Sequence, residues 1–114
     1  MTTIIQIHTA QFRYSGADRL DITIKSGTKI FAPTWNMVMG YKNKSITEEQ
    51  YTTQYLHMLD ESLSKNKSEW DKLLSMNEVT FVCYCPKNAF CHRHLLASYL
   101  LSKFPDKVVL RGER

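Results

Sequence analysis

A small α/β sheet with mostly parallel strands, in a single domain spanning 1–114, is the fold this sequence predicts. Three observations carry the prediction: the β-branched run Ile4, Ile5, Ile7; the continuous apolar and β-branched stretch Val79 to Cys85; and, between and after them, segments whose apolar residues recur at helical spacing. Strands separated by helices favour parallel pairing, since a parallel neighbour is reached only through a crossover. A chain of 114 residues buries enough surface for one core and leaves no room for a second.

The first strand is expected over 3–8, with His8 and Thr9 at its exit. Leu20-Asp21-Ile22-Thr23-Ile24-Lys25 alternates strictly and reads as a half-exposed strand ending at Ser26-Gly27. Lys29 to Ala32 is a further short strand, stopped by Pro33. Thr47-Glu48-Glu49-Gln50 has the spacing of a capping box and starts a helix, whose apolar stripe is Tyr51, Tyr55, Met58, Leu59 and Leu63. A second start signal at Ser68-Glu69-Trp70-Asp71 precedes a shorter helix facing inward through Trp70, Leu73 and Leu74. Val79–Cys85 reads as a central strand covered on both faces. Pro86 breaks it, and Leu95, Leu96, Tyr99, Leu100 and Phe104 mark a helix that begins near Cys91 or His92. Pro105 stops that helix before a strand over Lys107–Arg111, so the C-terminal half is a β-loop-α-β unit.

Composition removes several classes of protein. The longest apolar stretches fall short of the roughly 20 residues of a spanning helix, and the N-terminus lacks the basic and hydrophobic regions of a signal peptide, which makes the cytoplasm the expected location. Three cysteines within 83–91 do not form a secreted disulfide framework, and disulfides are not expected. The net charge of +4 is uneven: residues 1–47 carry six basic and two acidic side chains, 48–78 three and seven, and 79–114 six and two. A modest positive field in the two flanks suits a small anion better than a nucleic acid, which calls for a denser basic stripe.

The chemistry concentrates in Cys83-Tyr84-Cys85-Pro86-Lys87-Asn88-Ala89-Phe90-Cys91-His92-Arg93-His94, a strand end, a tight loop and a helix start. Cys83 and Cys85, two apart on a strand, share a face. Beyond them the unpaired N–H groups of a helix N-terminus lie at the carboxyl edge of a parallel strand, the usual place for a ligand in open α/β sheets. There Asn88, Cys91, His92 and Arg93 can hold a phosphate or carboxylate, with Lys87 adding charge. Thiolate catalysis is a second reading. The phosphatase spacing C-x5-R fails, however, because counting back from Arg93 puts Lys87 at the nucleophile position. Zinc is a third, from Cys83, Cys85, Cys91 and His92, although adjacent Cys91 and His92 would have to converge. The structural alternative treats the cysteines as small buried hydrophobes and His92 and Arg93 as helix-start residues.

Val82-Cys83-Tyr84-Cys85-Pro86 followed by Cys91-His92-Arg93 and Leu96-Ala97 resembles the signature of the uncharacterised family called domain of unknown function 488. Fainter likenesses are His8-Thr9, Arg13-Tyr14, Phe31 to Trp35, and Tyr51 with Tyr55. The resemblance implies a Rossmann-like open sheet with helices packed on its faces and Cys, His and Arg gathered at one edge. It implies no established reaction.

The binding residues expected from this reading are His8, Thr9, Arg13, Tyr14, Trp35, Cys85, Asn88, Cys91, His92 and Arg93, with Arg13, Tyr14 or Trp35 covering a nucleobase. Core packing is the commoner use of a tryptophan in so small a domain. The expected function is binding of a phosphorylated, nucleotide-derived small molecule, with no cofactor or metal and with a homodimer as one assembly. Sequestering a signalling nucleotide, as compact phage-encoded inhibitors of bacterial defence do, is the role that fits a stand-alone binder. The alternatives are a nucleotide- or nucleoside-processing enzyme using His92 or a cysteine, for which Asp18, Asp21 and Asp106 are the loose carboxylate candidates, and a zinc-stabilised interaction module. Arg93→Ala is expected to abolish ligand retention and leave the fold intact.

Overall fold

The computed structural model describes residues 4–23, 30–84 and 91–114. Its elements are β1 (Ile5–Gln11), β2 (Arg19–Asp21), α1 (Trp35–Lys42), α2 (Glu48–Lys65), α3 (Lys67–Leu74), β3 (Glu78–Cys83), α4 (His92–Lys103) and β4 (Val108–Glu113). The four strands form one sheet in the order β2-β3-β1-β4, every pair parallel.

Strand order decides which face each connection covers. The crossovers from β2 to β3 and from β3 to β4 run in the same direction across the sheet, so right-handed connections place their helices on one face. Ile5, Ile7, Val79, Phe81 and Val108 point to that face and join Tyr55, Leu59, Trp70, Leu96 and Leu100 in the core. The connection from β1 to β2 runs the opposite way, and its loop, residues 12–18, covers the other face. There Thr80 donates to Asp18, and Ala10, Thr80 and Val82 are buried. The described helices thus pack on one face, and the 12–18 loop, too short to hold a helix, covers the other.

The sequence signals at α2 and β3 match their elements. In α2 the Thr47 hydroxyl accepts from the Gln50 N–H while the Gln50 side chain accepts from the Thr47 N–H. Residues 79–83 of β3 are buried on both faces. Elsewhere the boundaries move. β1 extends to Gln11, so His8 and Thr9 lie within the strand. α3 starts from Asn66 instead of Ser68. Of the strand expected over Leu20–Lys25, Leu20 and Asp21 pair with β3, joined by Arg19 before them; Ile24 and Lys25 lie outside the described residues.

Residues 30–32 form a turn instead of a strand, and Lys29 lies outside the described residues. Two of their carbonyls are taken by side chains of α2: the Tyr55 hydroxyl donates to Phe31 O and the Ser62 hydroxyl to Ile30 O. Helix α1, which has no strong apolar stripe, is not among the elements expected from the sequence; the Thr34 hydroxyl caps it by accepting from the Met37 N–H.

Candidate functional site

Parallel pairing brings the carboxyl ends of β1, β3 and β4 to one edge, and the crossover geometry returns α4 with its N-terminus at that edge. Cys91 is the N-cap, in extended conformation and without a side-chain capping bond, and the first turn of α4 holds no acidic residue. Arg93, in that turn, is fully buried. Its Nε and Nη2 donate to Glu113 at 3.3 and 3.0 Å, and its Nη1 donates to Cys83 Sγ at 3.0 Å. The Thr9 hydroxyl donates to the same Glu113 carboxylate. Burial by itself would raise the Glu113 pKa, but the bonds from Thr9 and Arg93 outweigh it and hold the carboxyl below its ordinary value.

Three further groups complete this edge. His92 is buried, its Nε2 lies 2.7 Å from the Ile22 carbonyl, and burial pushes its pKa down to about 4, so the ring is neutral at pH 7. Donation from Nε2 leaves Nδ1 unprotonated, facing Cys91 Sγ at 3.6 Å. His94 Nε2 lies 4.0 Å from Glu113 Oε1 and holds no hydrogen bond. The sulfurs of Cys83 and Cys91 lie side by side, brought together by the end of the sheet and the start of α4, with Arg93 on one and the His92 ring on the other.

A second polar cluster occupies the opposite face. The Tyr14 hydroxyl donates to Asp18 at 2.6 Å, His8 Nε2 lies 2.8 Å from Glu78, and Arg114 reaches Thr80, Glu78, Asp18 and His8 while lying over the Tyr14 ring. Gly16 makes room for this arrangement, since a Cβ there would meet the Tyr14 hydroxyl at 2.1 Å. Burial opposes ionisation of Asp18, but hydrogen bonds from Thr80 and Tyr14 lower its pKa below the ordinary value. A depressed carboxylate pKa stabilises the fold above the unfolded-state value near 4 and loses that contribution as pH falls through the folded value. Tyr14→Phe should therefore move the Asp18 titration up toward its ordinary position and bring the onset of acid unfolding to higher pH, as carboxyl-detected NMR titration and an acid melt would read.

The expected site residues thus divide. Thr9, Cys91, His92 and Arg93 meet on the helix-bearing side, joined by Glu113 and Cys83. His8 and Tyr14 meet on the other, joined by Asp18 and Arg114. Arg13 is exposed, and Trp35 opens α1 with 56% of its surface exposed, packed into no core. Cys85 and Asn88 lie outside the described residues, as does Lys87. Glu113 and Arg114 are the residues that the sequence reading missed, because the strand expected there ends at Arg111 whereas β4 runs on to Glu113. Of the loose carboxylate candidates, Asp21 accepts from the Thr23 N–H and Asp106 is exposed.

Among the described residues no helix is long and apolar enough to cross a membrane. No curated protein and no solved structure matches the chain. A family model does: the one described as the active DUF488-N3 subclade matches residues 2–104, which takes in β1 to α4 and stops short of β4, Glu113 and Arg114. The likeness in the strand, the Cys-His-Arg turn and its helix therefore extends over most of the sequence, and the chain belongs to the DUF488 family.

Proposed function

We propose that the carboxyl edge of the sheet binds a phosphorylated, nucleotide-derived small molecule through Arg93 and the N-terminus of α4. One observation carries the reading: Arg93 sits buried at an uncapped helix start and already grips one oxyanion, the Glu113 carboxylate, through two N–H bonds. A guanidinium held in this way is preorganised for a carboxylate or phosphate, and Glu113 is the resident that an incoming anion displaces. Retention without turnover would suit sequestration of a signalling nucleotide, and a homodimer could close the pocket.

The test is calorimetric titration with AMP, ADP, inorganic phosphate and uncharged adenosine. The phosphorylated nucleotides should bind and adenosine should not. Glu113→Gln removes the competing charge and should tighten binding several-fold. Absence of binding by every nucleotide, or equal affinity in Glu113→Gln, overturns the proposal.

A second reading, a nucleotide-processing enzyme, is favoured by His94. Its unpartnered Nε2 beside an ionised Glu113 supplies the base and carboxylate pair that His92, bound to the Ile22 carbonyl, does not. The family description, which calls its subclade active, points the same way. Mass spectrometry of the nucleotide after incubation separates the two, since an unchanged mass means binding alone and an altered mass means turnover.

A further inference from the structure

Cys83, Cys91 and His92 present two sulfurs and one imidazole nitrogen, all within 4.8 Å of one another and all on buried residues. They come from two elements whose relative position is fixed by packing: Cys83 ends the central strand, while Cys91 and His92 start α4. Consecutive residues seldom point at one centre. Here Cys91 is extended, with φ −158° and ψ 151°, and His92 is helical, and that change of conformation turns both side chains to the same side.

Four features of the group belong to a metal site. First, the donor set, two thiols and one imidazole, is the soft set that selects zinc. Second, around a tetrahedral zinc with Zn–S about 2.3 Å and Zn–N about 2.0–2.1 Å, a sulfur and a nitrogen lie about 3.5 Å apart. Cys91 Sγ and His92 Nδ1 are 3.6 Å apart. Third, His92 has the support that ligating histidines have, its other nitrogen on the backbone carbonyl of Ile22, which fixes the tautomer and leaves Nδ1 free to coordinate. Fourth, the Cα atoms of Cys83 and Cys91 are 7.9 Å apart. That is beyond the roughly 7 Å that a direct sulfur bridge spans without backbone movement, whereas an ion between two sulfurs spans it readily.

Charge agrees with this. Two thiolates balance one Zn²⁺, and Arg93, balanced by Glu113, donates to Cys83 Sγ and so favours its thiolate form. The other candidate group, His8, Asp18 and Glu78, is less suited, because Arg114 already supplies the cation between its two carboxylates.

We infer that Cys83, Cys91 and His92 form a zinc site with three protein ligands and a fourth position open to water or a small anion. In the dithiol form, maintained by a thiol reductant, each cysteine releases its proton to water as its sulfur takes the metal, and no electron moves. This departs from the sequence expectation of no metal and does not depend on nucleotide binding.

The experiment uses the whole chain purified in the presence of a thiol reductant. Elemental analysis should find about one zinc per chain. Replacement by Co²⁺ should give a sulfur-to-cobalt charge-transfer band and the intense visible bands of a tetrahedral ion, both lost in Cys83→Ser and in Cys91→Ser and weakened in His92→Gln. Because these variants can also fail to fold, wild-type protein is titrated with an organomercurial thiol reagent and a zinc indicator, and zinc should leave in step with modification of the two thiols. Sub-stoichiometric zinc together with no cobalt charge-transfer band overturns the inference, as does a Cys83–Cys91 disulfide surviving reductant, or metal retained after both thiols are blocked.

Discussion

Arg93→Ala should cost about 3–5 kcal/mol of folding stability, the range seen when one partner of a buried ion pair is removed. Arg93 is fully buried, and the Glu113 it pairs with is 12% exposed, so the variant strands a carboxylate among Thr9, Cys83 and the core with no guanidinium to answer it. A loss of that size is a large part of the roughly 5–15 kcal/mol that holds a domain of this kind together. The sequence expectation that this variant leaves the fold intact is therefore replaced: burial turns Arg93 from a surface clamp into part of the core. Urea denaturation followed by far-UV circular dichroism measures the effect as a fall in midpoint. Arg93→Met combined with Glu113→Gln removes both charges, keeps an acceptor for Thr9, and should recover most of the loss. A midpoint for Arg93→Ala within error of wild type would show that the pair contributes nothing to folding.

Trp70→Ala should be comparably costly, about 3–5 kcal/mol, by the cavity it opens. The indole is fully buried, edge-on to Phe31 at 4.9 Å and to Tyr99 at 5.8 Å, and its Nε1 donates to Ser62. That bond couples three segments, because the Ser62 hydroxyl in turn donates to Ile30 and ties the 30–32 turn to α2. Trp70→Phe keeps a ring in place and loses only the donor to Ser62, so its loss should be the smaller. If the two substitutions lowered the urea midpoint equally, the hydrogen bond rather than the packing would be the main contribution of this residue.

The elements that were legible in the sequence are those whose signals are local. The capping box at Thr47 and Gln50 lies within four residues. The apolar run of β3 needs no partner to be recognised, and the Cys-His-Arg turn announces itself by residue type alone. Helix α1 was hidden for the opposite reason: it buries only Met37, so it carries no strong periodicity, and it holds its place by capping at Thr34 and by contact with α2. The 30–32 segment has strand-like residues but gives its carbonyls to Tyr55 and Ser62, partners 24 and 32 residues away. No local pattern reports such a choice.

The same division runs through the site. By itself the sequence determined an α/β chain with a central strand, a helix that starts at Cys91 or His92, and cysteine, histidine and arginine gathered at that turn. The partner of Arg93 was decided only by the tertiary structure, through register. β4 pairs with β1 from Val108, and between Ile7 and His8 the pairing slips so that Gly112, with φ +93°, lies opposite His8 and Glu113 opposite Thr9. Without that extra residue Gly112 would stand opposite Thr9, and Glu113 would point to the other face, away from Arg93. A strand's side chains alternate with a period of two, so one bulged residue exchanges the faces of everything after it. The bulge sends Glu113 to the helix side and Arg114 to the cluster of His8, Tyr14 and Asp18, and glycine supplies the left-handed backbone conformation at its centre. Residue type is written in the sequence, but the face on which Glu113 appears depends on how two strands about a hundred residues apart are paired.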